Sequence, residues 1–258
     1  MLFRSLGASS RAFALAYQLA LAEAADLIDA RLDQAAPPDL PTRRLLRVSL
    51  ANYFAAATQA PYAAFHAAAE DLGYDIGRLK ARFGMSHEQV CHRLTTLSRP
   101  GARGVPFFLM RVDQAGNVSK RFAAGPFPFS RFGGACPRWN IHAVFRTPGR
   151  FVFQVIETPD AQRYFTVSRT VRRTARGYSA GDEAELAIGL GCELKHAPRL
   201  VYARGLDLNA PAVTEIGPTC RLCERENCRE RAEPPITRTL TFDEGAKTLT
   251  PYPFSTHG

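Results

Sequence analysis

The sequence predicts an α+β protein in which a helical part, residues 1–100, precedes an antiparallel-sheet part, residues 101–258. Up to about residue 100, apolar side chains recur at helical spacing among strong helix formers such as Ala and Leu. Beyond it, short β-branched and aromatic runs flank turn sequences rich in Gly, Pro, Asn and Asp. The length of 258 residues is sufficient for two domains.

The helical part is predicted to contain five helices. The first ends before the proline-rich segment at Pro37, because proline cannot continue a helix. The last opens at Ser86, a favourable N-cap, and Gln89 lies three residues later to complete a capping box. The five predicted helices cover residues 11–32, 42–58, 62–72, 75–83 and 86–97.

The second part is predicted to form two hairpins, followed by two weaker strand candidates. The hairpin turns are Asp-Gln-Ala-Gly-Asn and Thr-Pro-Asp-Ala-Gln, which carry the residue types that turns favour. The predicted strands cover residues 107–112, 118–122, 151–157, 164–171, 185–190 and 199–202.

Composition excludes two broad classes of protein. With 46% hydrophobic and 10% aromatic residues, the chain is not a disordered one. No apolar stretch approaches the roughly 20 residues of a membrane-spanning helix, so no membrane partner is predicted. The net charge is +9, carried by 29 Arg and four Lys. An anionic partner is one interpretation of this excess, and a GC-rich genome that inflates Arg and Ala is the other.

An apolar run near the start, residues 13–22, follows Arg4 and Arg11 as in a cleaved export signal. Gln18 interrupts this run, and the helical pattern continues past the expected cleavage site through Leu32. We therefore predict a structural helix here, in a chain that lacks an upstream domain.

Three cysteines lie within nine residues of one another near the end of the chain, at Cys220, Cys223 and Cys228. The short loops between them bend easily, so their thiolates can converge on one metal ion or cluster. Cys192 is the predicted fourth ligand. Four thiolates suit tetrahedral zinc or an iron–sulfur cluster, and the spacing leaves both open. Neighbouring arginines would offset the negative charge of such a centre.

Residues 75–99 are similar to a helix-turn-helix, the helix pair that many DNA-binding proteins use. The second helix begins with polar residues, and Arg93 and Arg99 add positive charge near it. Glu88 lies on the same helix, and such helix pairs also occur as plain packing units. A DNA-binding module with a structural zinc site is therefore the alternative function.

A basic and aromatic segment begins at the boundary between the two parts. Arg and Lys can bind phosphate groups, glycines let a ligand approach the backbone, and aromatic rings can cover an adenine or an acyl chain. The alternative is that these residues belong to a domain junction and to the core of the sheet. The candidate ligand contacts are Arg99, Arg103, Phe107, Phe108, Arg111, Lys120, Arg121, Arg131 and Trp139.

The sequence offers no arrangement typical of catalysis. It has no P-loop, no Gly-x-Ser-x-Gly and no His-Glu-x-x-His motif. His87 and His92 are five residues apart and diverge around a helix. Cys91 is predicted to be a buried thiol, and Cys136 gives only a weak indication of a haem ligand. We therefore predict that the chain is not an enzyme, and a residual thioester hydrolase has no visible nucleophile and base.

The run Leu-Ala-Asn-Tyr-Phe-Ala-Ala-Ala, residues 50–57, resembles the metallopeptidase-like domain of phage-repressor-cleaving and radiation-response regulators. The resemblance implies a His-Glu-x-x-His motif in the first helix, where this chain has Tyr17, Gln18 and Leu21, and an acidic ligand near Val48. The metal ligands are absent, so the resemblance implies a helical domain without peptidase activity. Its emptied cleft is expected to offer an apolar slot for a short acyl chain.

From about residue 94 on, the chain resembles the short-chain fatty acyl transcriptional regulators. The matching runs include Arg-Pro-Gly-Ala-Arg-Gly-Val-Pro-Phe-Phe, Arg-Phe-Gly-Gly-Ala-Cys-Pro-Arg-Trp-Asn and the cysteine block through Pro235. The resemblance implies a cytoplasmic bacterial regulator of glyoxylate, methylcitrate or acetate-assimilation genes that senses acetyl-CoA, propionyl-CoA or a related acyl-CoA. It favours a [4Fe–4S] cluster over zinc. The implied partners are DNA, through an N-terminal helix-turn-helix domain absent from this chain, and further copies in a homo-oligomer.

Overall fold

The computed structural model describes residues 6–130, 134–173, 184–248 and 250–254. The chain divides into two compact units, a helical one up to Gly104 and a sheet unit from Val105 onward. The predicted α+β class is confirmed. Within the described ranges, no helix is both long enough and apolar enough to cross a membrane.

The helical unit contains six helices within the described residues. Asp39 caps the third helix, since its carboxylate accepts the Thr42 N–H at 2.7 Å. The helices are α1 (Ala8–Glu23), α2 (Ala25–Ala35), α3 (Leu40–Gln59), α4 (Tyr62–Asp71), α5 (Ile76–Phe83) and α6 (His87–Leu94).

The prediction of one continuous helix over residues 11–32 is wrong, because the backbone leaves the helical conformation at Ala24, where φ is −116° and ψ is 17°. The break lets Ile28 and Leu32 of α2 join Ala20 of α1 in a buried cluster with Ala51 of α3. Packing therefore decides the position of the break. Alanine is a strong helix former and gives no local signal of it.

The sheet unit is built on one six-stranded sheet. Its strands are β1 (Phe108–Asp113), β2 (Val118–Ala123), β3 (Val152–Glu157), β4 (Arg163–Arg173), β5 (Ala184–Glu193) and β6 (Val213–Glu215). The strand order is β2-β1-β5-β4-β3-β6, and every pair is antiparallel except the parallel pair of β3 and β6. The sheet is therefore mixed, which corrects the prediction of an antiparallel one.

Two predictions about the later strands are wrong. Residues 199–202, predicted as a strand, lie in two short 3-10 helices around Pro198, which cannot donate a ladder hydrogen bond. The sixth strand, β6, was not predicted, because its three residues are too few to show an alternating pattern.

Candidate functional site

A cleft lies over the apolar core of the sheet unit, on one face of β1 and β2. The space in and above it, open solvent included, is about 350 Å³, and the part that a water molecule can occupy is far smaller. Its lining is mostly apolar, with few polar groups, which is typical of a site for a small organic group. The lining residues are Met110, Val118, Arg121, Phe127, Pro128, Phe129, Ser130, Gly134, Ala135, Cys136, Trp139, Thr158, Ile216, Gly217 and Pro218.

One wall of the cleft belongs to a cluster of aromatic rings. The Phe127 ring stacks on that of Phe108 with centroids 3.8 Å apart, and Trp139 lies 5.7 Å from Phe127. Gly191 of β5 makes this arrangement possible, because a Cβ there would lie 2.3 Å from Cζ of Phe108. The wall is thus held from behind by a close ring-to-backbone contact.

Trp139 is the polar group of interest in this wall. The side chain is 2% exposed, yet its indole Nε1 finds no acceptor among the described residues. Leaving a buried N–H unpaired costs about 1–3 kcal/mol, so such donors are rare in folded proteins. The cleft lining therefore includes a buried tryptophan whose donor is unpaired among the described residues.

The strand register decides which of the predicted basic contacts reach this cleft. Arg121 stands opposite Met110, and both line the cleft. Lys120 stands opposite Arg111, one residue out of phase, and hence on the other face of the strand pair. There Arg111 is buried, and its Nε donates to Oγ of Ser119 at 2.9 Å.

The remaining predicted contacts are spread over the chain. Arg99 and Arg103 belong to the helical unit, where Arg99 stacks on the Tyr62 ring at 4.2 Å from its centroid. Phe107 is buried beside β1, outside the cleft lining. Arg131 lies outside the described residues. Of the predicted ligand contacts, Arg121 and Trp139 line this cleft, and Phe108 packs behind its wall against Phe127. The others stay predictions without a place in it.

Sequence reasoning missed Phe127, Phe129 and residues 216–218, which line the cleft. The Phe-Pro-Phe run was an available signal, because proline holds two rings on an extended backbone. Residues 216–218 carry no such signal, because only the parallel pairing of β6 brings them to this face.

The cysteine block is a loop wrapped around the buried side chain of Arg231. This side chain is 3% exposed, and its Nη1 donates to the Cys223 carbonyl at 3.0 Å and the Cys220 carbonyl at 3.5 Å. Its Nη2 donates to the carbonyl of Arg225. The guanidinium therefore fixes the backbone on which two of the three thiols stand.

Other arginines of the block are neutralised by carboxylates. Arg221 pairs with Glu233 at 3.2 Å and Arg225 with Glu215 at 2.9 Å. Arg231 pairs with carbonyls and not with a carboxylate. That the block's arginines offset the charge of a thiolate centre stays a prediction.

The two other cysteines of the sheet unit differ in their neighbours. Burial raises the pKa of the Cys136 thiol, hydrogen bonds from the backbone of Gly217 lower it, and the charges of Cys220 and Cys223 raise it. Burial raises the pKa of the Cys192 thiol to about 12, with further effects from residues 193 and 199.

Across the described part of the chain, no three His, Cys, Asp or Glu side chains are already placed to hold a metal ion. The predicted metal centre at Cys192, Cys220, Cys223 and Cys228 thus stays a prediction. The donor set fits the group nonetheless, because three thiols on one short loop are soft ligands suited to iron or zinc. Metal sites also commonly assemble only as the metal binds.

Two of the positions that match peptidase ligands are part of an apolar helix packing. Tyr17 and Leu21 of α1 pack against the buried cluster around Ala20, Ile28 and Leu32. The other two positions, Gln18 and Val48, are exposed. The apolar slot expected at these positions stays a prediction. The cleft described above lies in the sheet unit instead.

The helix pair expected to read DNA is formed as predicted, but its second helix is not exposed. Asp75 and Ser86 cap the two helices, and Ser86 completes a capping box with Gln89. On α6, His87 and Val90 are buried, and none of the eight side chains is fully exposed. A recognition helix must present side chains to base edges, so this packing does not favour a DNA-reading role.

These features define a class: a helical domain in which Tyr, Gln, Leu and Val stand in place of peptidase metal ligands, followed by a mixed-sheet domain with a mostly apolar cleft. Residues 2–95 match the IrrE N-terminal-like domain, and residues 96–252 match the short-chain fatty acyl coenzyme A regulator, C-terminal. The chain therefore belongs to the short-chain fatty acyl coenzyme A regulator family, as the sequence resemblance indicated.

Relatives of this chain are transcriptional regulators. It is 48% identical to the HTH-type transcriptional regulator RamB of Mycobacterium tuberculosis over 250 residues, which are 96% of this chain and 52% of RamB. It is 47% identical to the propionyl-CoA carboxylase regulator of Cereibacter sphaeroides over 245 residues, 95% of this chain and 53% of that one. The chain spans about half the length of the curated relatives it matches.

A solved structure shares the fold. The structure of a Mycobacterium tuberculosis transcriptional regulator superposes with a TM-score of 0.90 at 45% sequence identity. The match covers 95% of this chain and 75% of that one.

Proposed function

We propose that this chain is the ligand-sensing part of a cytoplasmic bacterial transcriptional regulator of short-chain fatty acid metabolism. A short-chain acyl-CoA, such as propionyl-CoA or acetyl-CoA, places its acyl group in the aromatic cleft. The carrying observation is the buried, unpaired indole N–H of Trp139 in an otherwise apolar wall. The names of relatives, which include a propionyl-CoA carboxylase regulator, support the same class of ligand.

The polarity of the cleft lining suits an acyl thioester. A short acyl chain packs against the rings of Phe127 and Phe129, and the thioester carbonyl accepts the Trp139 N–H. The phosphates of CoA need positive charge, which Arg121 supplies at the cleft through charge-assisted hydrogen bonds. Ligand binding signals only if it favours one conformation of the regulator.

The cysteine loop is proposed to hold a [4Fe–4S] cluster, with zinc as the alternative metal. Cys220, Cys223 and Cys228 supply the thiolates, and Arg231 holds the loop that carries them. When bound, such a cluster supplies one-electron redox chemistry, whereas zinc would serve structure only.

DNA is proposed as a partner through a helix-turn-helix domain outside this chain, since relatives bear the name of HTH-type transcriptional regulators. Genes of glyoxylate or methylcitrate metabolism are the proposed targets. A DNA-reading role for the helix pair is not favoured, because α6 is packed. A thioester hydrolase is not favoured either, because the described lining of the cleft contains no nucleophile paired with a base.

Isothermal titration of the full chain with propionyl-CoA, acetyl-CoA and free CoA tests the proposal. We expect saturable heat with both acyl-CoA compounds and weaker binding of free CoA. Trp139→Phe keeps an aromatic ring and removes the donor, so affinity is expected to fall by about 1 kcal/mol, roughly fivefold.

A pair of arginine variants controls for the loss of charge. Arg121→Gln is expected to weaken propionyl-CoA binding, whereas Arg204→Gln, at an exposed position away from the cleft, leaves it unchanged. The absence of any binding heat for wild type at high micromolar propionyl-CoA would contradict the proposal.

A further inference from the structure

We propose that Gln154 is a positioning residue of the cleft: its side-chain amide holds the backbone on both sides of Trp139 and so fixes where the indole N–H points. This inference rests on the acyl-CoA site proposed above. It assigns to Gln154 part of the selectivity for an acyl-CoA over free CoA, because only the acyl-CoA brings a thioester carbonyl to the indole donor.

The amide of Gln154 makes one hydrogen bond before Trp139 and one after it. Its Nε2 donates to the Arg138 carbonyl at 3.1 Å, and its Oε1 accepts the Asn140 N–H at 2.8 Å. A primary amide carries both a donor and an acceptor, so one side chain satisfies both backbone groups. The two peptide units that flank the Trp139 Cα are therefore tied to the same side chain.

The segment around Trp139 consists of turns and has few bonds of its own. The Trp139 N–H donates to the Cys136 carbonyl at 3.0 Å, and the Trp139 carbonyl accepts the His142 N–H at 3.2 Å. Backbone polar groups in a packed segment need partners, which a strand would receive from its neighbours in a sheet. Gln154 supplies such partners from outside the segment.

Gln154 can hold this segment because its own strand is fixed. It pairs with Thr166 of β4, and its carbonyl accepts the Thr166 hydroxyl at 3.1 Å. Ser168 of β4 reaches the same segment, since its Oγ donates to Oδ1 of Asn140 at 3.2 Å and both residues are buried. Two strands of the sheet thus hold the residue that follows Trp139.

The held backbone keeps the indole against the aromatic wall. The Trp139 ring centroid lies 5.7 Å from that of Phe127 and 6.1 Å from that of Phe108. A donor that is already in place for its acceptor needs no reorganisation when the ligand binds. Gln154 is not among the described residues that line the cleft, so we assign it no contact with the ligand.

A double-variant comparison shows whether Gln154 acts through Trp139. Gln154→Leu removes both bonds, and isothermal titration of the full chain with propionyl-CoA is expected to show a roughly fivefold loss of affinity, as for Trp139→Phe. The double variant Trp139→Phe/Gln154→Leu is expected to lose no more than Trp139→Phe alone, because the two residues serve one hydrogen bond. Free CoA is expected to bind Gln154→Leu as it binds wild type.

Thr166→Val is the matched control, because it removes a bond to the backbone of Gln154 and leaves the side-chain amide in place. It is expected to bind propionyl-CoA as wild type does. Gln154→Glu is the second variant, used in case Gln154→Leu does not fold by circular dichroism. It keeps the acceptor for Asn140 and loses the donor to Arg138, so its affinity for propionyl-CoA should fall while that for free CoA stays.

Three results would overturn the role of Gln154: a wild-type affinity for propionyl-CoA in a folded Gln154 variant, an equal fall in affinity for free CoA, or a double variant whose loss is the product of the two single losses. Any of these, with propionyl-CoA binding by wild type and a loss in Trp139→Phe, removes Gln154 alone and leaves the proposed function standing. No binding heat for wild type at high micromolar propionyl-CoA would remove the acyl-CoA site, and the selectivity assigned to Gln154 with it.

Discussion

At the scale of single residues, Arg93 shows how the helical unit uses a buried charge. Its side chain is 1% exposed, its Nε donates to the Ala60 carbonyl at 3.0 Å, and its Nη1 donates to Oγ1 of Thr96 at 2.8 Å. The guanidinium also lies 5.8 Å from the ring centroids of Tyr53 and Tyr62. The sequence led us to expect Arg93 to add charge beside a DNA-reading helix. Instead, its buried guanidinium donates to the carbonyl of Ala60, the residue that follows α3.

Arg93→Met keeps the length of the side chain and removes its donors. The Ala60 carbonyl then loses the Arg93 bond in a buried place, so we expect the free energy of unfolding to fall by about 1–3 kcal/mol. Urea unfolding followed by circular dichroism measures this, with Arg78→Met, at an exposed position of α5, as the matched control. Equal losses in the two variants would contradict the role given to Arg93.

His142 gives the sheet unit a pH dependence. Burial lowers the pKa of this imidazole below its usual 6.5, and hydrogen bonds with the backbone of Ala135 and Cys136 oppose the shift. The unfolded chain therefore binds a proton at a higher pH than the folded one, so stability is lost as pH falls below about 6.5. His196, whose pKa burial also lowers, contributes in the same direction.

His142→Gln removes one of these two groups. Between about pH 7 and 5 the free energy of unfolding of the variant is expected to fall less steeply than that of wild type, since the carboxylates titrate lower. Thermal unfolding at several pH values measures this difference. His196→Gln is the matched variant, and it is expected to flatten the same pH window independently. If the free energy of unfolding falls with pH equally steeply in wild type and in His142→Gln, His142 is not a source of the pH dependence.

At the scale of elements, strand β5 holds the wall of the cleft. Two of its glycines leave room for side chains packed across the strand: a Cβ on Gly189 would lie 2.8 Å from Cδ1 of Ile141, and one on Gly191 would lie 2.3 Å from Phe108. Because these two positions are glycines, the side chains of Phe108 and Ile141 can pack directly against the backbone of β5.

Gly191→Ala is expected to push the Phe108 ring into the cleft wall. Overpacking of this kind costs about 1–3 kcal/mol, and the displaced wall should also weaken propionyl-CoA binding. Gly125→Ala is the matched control, because its nearest contact would be an ordinary 3.4 Å to Pro106. Unfolding and calorimetry measure both effects, and a Gly191→Ala variant indistinguishable from Gly125→Ala would contradict the packing argument.

Elements whose ends are fixed by local chemistry could be predicted from the sequence. The boundaries of α5 and the start of α6 follow from Asp75, from Gly84 with φ +62°, and from the Ser86 capping box. The end of α6 at Leu94 comes three residues before the predicted one. Features that depend on tertiary contacts could not, among them the break at Ala24 and the parallel pairing of β6. Both are set by distant parts of the chain.

The same distinction between local chemistry and tertiary contacts applies to the candidate site. Residue type was enough to select Trp139 and Arg121, because a lone tryptophan and a basic strand residue are distinctive. Strand register, which puts Arg111 and Lys120 on the other face, could not be read from composition.

At the scale of the whole molecule, the cleft lies next to the loop that leads into the cysteine block. Gly217 and Pro218 line the cleft, and Cys220 follows two residues later, so a metal bound by the block would shape one wall of the proposed acyl site. Linkage then requires that metal loading and acyl-CoA binding alter each other by the same factor. The homo-oligomer expected from the family resemblance stays a prediction, which light scattering of the purified chain would check.

The fluorescence of the single tryptophan tests the central claim most directly, because Trp139 lies in the cleft itself. Titration of the full chain with propionyl-CoA should change this fluorescence in a saturable way, with the affinity that calorimetry gives, and Arg121→Gln should shift the curve to higher concentration. Binding heat without any change in tryptophan fluorescence would place the acyl group elsewhere and contradict the account.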